Sequence, residues 1–104
     1  GIIPSKNIEN SIELTKKILD KKGKGHSVGI FSRSKKNILK LSMAAAASRV
    51  IVNQPHSQSA GGSADNYLSS TLSLGCGTWG NNLINENLFI KDFCNTTKVV
   101  FKKK

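Results

Sequence analysis

His-Ser-Val-Gly-Ile-Phe-Ser-Arg-Ser-Lys-Lys-Asn-Ile-Leu-Lys-Leu-Ser-Met-Ala-Ala-Ala-Ala-Ser-Arg-Val-Ile-Val-Asn, residues 26–53, decides the fold. Its first six residues, His26 to Phe31, form a short apolar run that reads as a buried strand. Ser34 is placed to cap a helix through about Ala47. Ile38, Leu41 and Ala45 share one face of that helix, with Met43 and Ala46 beside them. The alanines from Ala44 to Ala47 permit close packing on a sheet. Arg49 to Asn53 is β-branched and reads as a second strand. Strand, helix, strand in this order predicts parallel pairing through a helical crossover.

Upstream, Ile8, Ile12, Thr15 and Leu19 recur at helical spacing, with Ile18 adjacent. This predicts a helix from about Asn7 to Lys22, with lysines crowding its last turn and Gly23 closing it. Downstream, Pro55 ends the second strand. Residues 54–82 hold five of the nine glycines and almost no periodicity. A loop of this length inside a domain is usually functional or disordered. Leu72, Leu74 and Trp79 argue against disorder. Thr97 to Phe101 reads as a third strand, followed by a lysine tail.

The chain has 104 residues, 38% hydrophobic and 21% charged, which is not a disordered composition. No apolar stretch approaches the roughly 18 residues of a membrane helix. No secretory signal is visible, and the chain opens on Gly1, so it reads as processed or as an excerpt. Two cysteines, Cys76 and Cys94, are too few for a disulfide scaffold and read as thiols of a reduced, cytoplasmic protein. With only His26 and His56 they give no metal-ligand spacing.

The net charge of +10 suggests a polyanion partner, but its distribution argues against one. Residues 1–40 hold ten Lys or Arg against three Asp or Glu, whereas residues 41–97 hold two against three. Lysine predominates, with only Arg33 and Arg49 as arginines, and no aromatics interleave with the basic residues. The lysines read as a solvated face, with neither nucleic acid nor membrane as partner.

Gly61-Gly62-Ser63 and Gly75-Cys76-Gly77 each admit a phosphate-cradle reading. Neither has the spacing of a dinucleotide fingerprint or a Walker loop, and tight turns explain them more simply. Cys76 has no charged neighbour in sequence to activate it and reads as a structural thiol. His26, between a glycine-rich turn and a strand, suits either acid–base work or a structural hydrogen bond. His56, after Pro55, reads as a solvated loop residue. Asp65 and Glu86 are single carboxylates without partners.

Ser48-Arg-Val-Ile-Val-Asn-Gln-Pro55, Ala60-Gly-Gly-Ser63, Thr71-Leu-Ser-Leu-Gly-Cys-Gly-Thr-Trp-Gly-Asn81 and Glu86-Asn87 form an ordered series. The series resembles the C-terminal part of the CoA-acylating aldehyde dehydrogenases. That family includes the aldehyde-oxidising half of bifunctional aldehyde–alcohol dehydrogenases. Gly25-His26-Ser27 is similar to the family's Gly-His-Thr segment, and the likeness covers about residues 24–100.

The resemblance implies an α/β fold, the C-terminal portion of an aldehyde dehydrogenase-like catalytic domain. Its mostly parallel sheet carries flanking helices and a final oligomerisation strand. Residues 1–96 would be the partial catalytic domain, and residues 97–104 the oligomerisation strand with its basic tail. The implied reaction is oxidation of a small aldehyde with NAD or NADP and CoA to an acyl-CoA, or the reverse, in a homo-oligomer. The nucleophilic cysteine and the cofactor domain would lie upstream of this chain, and Cys76 matches a different cysteine. The chain alone is then expected to be inactive. By the same resemblance His26 acts near the nucleophile, and Ser57, Gly61, Gly62, Gly75, Gly77 and Asn81 line the aldehyde or CoA end of the site. The branch acting on succinate semialdehyde or sulfoacetaldehyde is nearest. The alternative is a non-catalytic module that pairs through its last strand.

Overall fold

The computed structural model describes all residues from Gly1 to Lys104. Helix α1 runs from Ile8 to Lys21. Asn7 caps it, its side-chain oxygen accepting from the Asn10 amide at 2.9 Å. Glu9 in the first turn and Lys21 in the last match the helix dipole. Ile8, Ile12, Thr15 and Leu19 point inward, as their spacing predicts, and Leu19 is buried. Gly23, just past the helix, takes a φ of 89°, which glycine adopts without strain.

Strand β1 (Val28–Ile30) and strand β2 (Val50–Val52) pair in parallel, Val28 opposite Val50 and Ile30 opposite Val52. Helix α2 (Lys35–Ala44) makes the crossover, capped by Ser34, whose hydroxyl accepts from the Asn37 amide at 3.3 Å. The helix stops three residues short of the expected Ala47. Ala45 turns extended, with φ −80° and ψ 126°. The reason lies in the neighbouring chain: the Gly25 amide donates to the Ala46 carbonyl at 2.7 Å, and the Ser48 amide to the Gly25 carbonyl at 3.0 Å. These bonds pull the last alanines out of the helix and into line with β1.

Leu19, Leu41 and Ala45 form the core, with Ile12, Val28, Ile30, Ala47 and Val50 packed on it. Lys40 of α2 also pairs with Glu9 of α1 across the surface. That contact holds the Glu9 carboxyl below its ordinary value, chiefly through the Lys40 hydrogen bond. Met43 points away from the core and is exposed, contrary to its expected place near the apolar face.

The segment after β2 contains a short helix, α3 (His56–Ser59), and two 3-10 turns, Thr78–Gly80 and Ile90–Phe93. Its order comes from hydrogen bonds rather than from the expected apolar anchors, since Leu72 and Trp79 are exposed. Residues 97–101 pair with nothing inside the chain, and Val99, Val100 and Phe101 are 75, 87 and 85% exposed. The expected third strand is therefore not formed within this chain. The radius of gyration is 16.8 Å, against about 13 Å for a compact domain of this length. A core this small leaves little reserve. Leu41→Ala is expected to cost about 3 kcal/mol, read as a lowered urea midpoint, whereas Met43→Ala should cost less than about 0.5 kcal/mol.

Candidate functional site

A turn between α1 and β1 presents the Gly25-His26-Ser27 segment. Gly25 has a φ of 86°, and a Cβ there would stand 2.2 Å from the Cys76 carbonyl oxygen. Only glycine fits, so the Cys76 backbone packs directly on the turn that carries His26. His26 is exposed, not buried in a strand as expected, and it lines an open cleft of about 720 Å³. Leu19, Lys22, Ser27, His56, Ser57, Gly61 and Thr71 are among the other lining residues. Lys22 is the one ammonium on this wall, and no carboxylate faces it. His56, expected to be solvated, is half-buried in the same wall.

Arg49, just before β2, is only 5% exposed and does not line this cleft. Its Nε donates to Asn87 Oδ1 at 2.7 Å. Nη1 donates to the His26 carbonyl at 2.9 Å, and Nη2 to the Gly75 carbonyl at 2.6 Å and the Asn85 carbonyl at 3.4 Å. Asn87 Nδ2 in turn donates to the carbonyls of Ala60 and Ser69 at 3.0 and 2.9 Å. Burial pushes the Arg49 guanidinium below its ordinary value, and the Cys76 thiol works weakly the other way. No carboxylate pairs with this cation; it is held by carbonyl dipoles.

The glycine motifs serve this packing. A Cβ at Gly61 would meet the Thr71 carbonyl oxygen at 2.8 Å, and one at Gly75 the Ile84 carbonyl oxygen at 2.2 Å. Gly62 and Gly77 have φ of 86° and 60°. The amides of Gly62, Gly75 and Gly77 donate to the carbonyls of Ser59, Glu86 and Ile84. A phosphate cradle needs free amides, and these three are engaged.

The residues expected from the sequence thus divide in two. His26, Ser57 and Gly61 share the cleft wall. Gly62, Gly75, Gly77 and Asn81 lie outside it. Asn81 is exposed, with a φ of 58° at the end of a 3-10 turn. Cys76 does not line the cleft either, and its Sγ sits 3.9 Å from the Leu74 carbonyl oxygen. No three His, Cys, Asp or Glu side chains stand close enough to hold a metal ion. The Arg49–Asn87 contact spans 38 residues, and its one signal in the sequence is that both residues stand in the family-like series. Asn87→Ala strips Arg49 Nε and two carbonyls of their partner at once. It is expected to cost about 3 kcal/mol, with hydrogen exchange at the Gly75 and Gly77 amides accelerating more than at those of α1.

No family model matches the chain. A sulfoacetaldehyde dehydrogenase (acylating) of Cupriavidus necator is 43% identical over 77 residues, covering 74% of this chain and 16% of that protein. A succinate-semialdehyde dehydrogenase (acetylating) of Clostridium kluyveri is 36% identical over 96 residues, covering 92% of this chain and 21% of that protein. Among solved structures, an acetylating aldehyde dehydrogenase from Geobacillus thermoglucosidasius matches 96% of this chain and 22% of its own. The TM-score is 0.87 and the identity 32%. The chain therefore spans between about a sixth and a fifth of the length of these three relatives.

Proposed function

We propose that this chain, which belongs to the CoA-acylating aldehyde dehydrogenase family, supplies the His26 cleft of an enzyme converting an aldehyde and CoA to an acyl-CoA. The observation that carries the reading is the position of His26. The chain folds as the matching part of the acetylating aldehyde dehydrogenase from Geobacillus thermoglucosidasius does, and it presents an imidazole to an open cleft. The reaction oxidises the aldehyde carbon and joins it to the CoA sulfur, with NAD or NADP as oxidant. The nucleophilic cysteine and the cofactor domain belong to the remainder of the enzyme. The amides of Gly62, Gly75 and Gly77 already donate to protein carbonyls and are not free to hold a dinucleotide phosphate.

What these residues do is bind and move protons. His26 exchanges a proton with the reacting group as thiol or thioester forms and breaks. Ser57 and Gly61 bound the space for the aldehyde or the thiol end of CoA, and Lys22 offers that space a positive charge. Gly62, Gly75, Gly77 and Asn81 act on the site by holding the loop in its shape. Residues 97–101, unpaired and exposed, add a strand to a neighbouring copy in a cytoplasmic homo-oligomer.

A chimera tests this reading. In it, the matching 16% of the Cupriavidus necator enzyme is replaced by this chain. The expected result is CoA-dependent formation of reduced cofactor from sulfoacetaldehyde, and a fall in kcat of about 100-fold for His26→Ala. The 104-residue chain by itself should give no signal. A folded chimera that binds cofactor but gives no acyl-CoA, or a His26→Ala variant at full rate, contradicts it.

A further inference from the structure

The cleft holds a second histidine that the acylation reading does not use. Ser27 Oγ lies 2.7 Å from His26 Nδ1 and 2.7 Å from His56 Nε2, so one hydroxyl joins the two rings. A hydroxyl has one proton to give and two lone pairs. With both imidazoles neutral, Ser27 donates to one ring and accepts from the other. The tautomer of each ring therefore depends on the other. When His56 Nε2–H donates to Ser27, Ser27 donates to His26 Nδ1, and His26 carries its proton on Nε2. In the reverse order His26 keeps a free lone pair on Nε2.

Two further features bear on this arrangement. Gly29 lies in the middle of β1, where glycine weakens a strand. A Cβ there would stand 3.0 Å from His56 Nδ1, so the missing side chain leaves room for the ring. The charged groups around the pair are Lys22 on the cleft wall and Arg49, which takes the His26 carbonyl. No carboxylate faces the cleft, so Ser27 and not an anion orients the rings.

We propose that His26, Ser27 and His56 form a proton relay, with His56 as the positioning residue that sets the tautomer of His26. A proton arriving at His26 Nε2 makes that ring an imidazolium. The Nδ1 proton then passes to Ser27 Oγ, and the Ser27 proton passes to His56 Nε2. One proton has entered, the positive charge has moved from His26 to His56, and no heavy-atom bond has changed. The use of this relay in aldehyde chemistry rests on the function proposed above. The relay itself does not, and its test uses no substrate.

The test is imidazole 15N NMR on the 104-residue chain, at a pH where both rings are neutral. His56→Phe leaves Ser27 free to donate to His26 alone, and should move the His26 tautomer ratio toward Nε2–H by about tenfold. His56→Gln, which both donates and accepts, should return the ratio toward that of the parent chain. Ser27→Ala removes a single oxygen, guards against misfolding of the ring variants, and should shift both rings together. A His26 ratio unchanged in His56→Phe, a Gln variant behaving like Phe, or rings that ignore Ser27→Ala would overturn the relay.

Discussion

Arg49 is the charge around which this molecule is arranged. A guanidinium 5% exposed and paired with no carboxylate is costly to bury, by several kcal/mol for an uncompensated ion. It is tolerated because Asn87 and the carbonyls of His26, Gly75 and Asn85 converge on its fork. Those four partners come from three separate stretches of chain. The residue itself immediately precedes β2, and its Nη1 donates to the carbonyl of the cleft histidine. Arginine suits the position and lysine does not, since a single ammonium cannot span acceptors set so far apart in direction. The position of His26 on its cleft therefore follows from a residue that does not line the cleft wall.

Steric constraint completes what the cation begins. Backbone lies on backbone where Gly25 meets Cys76 and where Gly75 meets Ile84, at distances no Cβ allows. The Leu-Gly-Cys-Gly run is read as a packing device on this evidence. Its glycine amides at 75 and 77 are engaged, its thiol faces a carbonyl, and its contact with the Gly25 turn fixes the chain just before His26. The hydrophobic core under α1 and α2 is small by comparison, and much of the precision of the cleft comes from polar and steric fit.

Much of the framework was legible in the sequence. The 3.6-residue spacing of Ile8, Ile12, Thr15 and Leu19, the cap at Ser34 and the β-branched run at Val50 each carry local information, and each element formed there. The end of α2 was not legible, because four alanines give no stop signal and the stop is imposed by hydrogen bonds to Gly25. Strand 97–101 carries the right side chains but finds no edge in this chain to pair with. His26 was marked by its glycine turn and by family likeness. His56 was not, and Asn87 stood in the family-like series without a role, because what gives them meaning lies 29 and 38 residues away. Long-range polar contacts leave no periodicity, and they carry most of the site.

The chain has two arginines, Arg33 on the surface and Arg49 inside, which makes the central claim open to one direct measurement. Solvent exchange of the two Nε protons, followed by NMR on the intact chain, reads the buried guanidinium without any substitution. With Arg49 held by Asn87 and three carbonyls, its Nε–H should exchange at least about 100-fold more slowly than that of Arg33. Equal exchange rates at the two arginines would mean that the guanidinium is not locked in place, and the account of how His26 is positioned would fail.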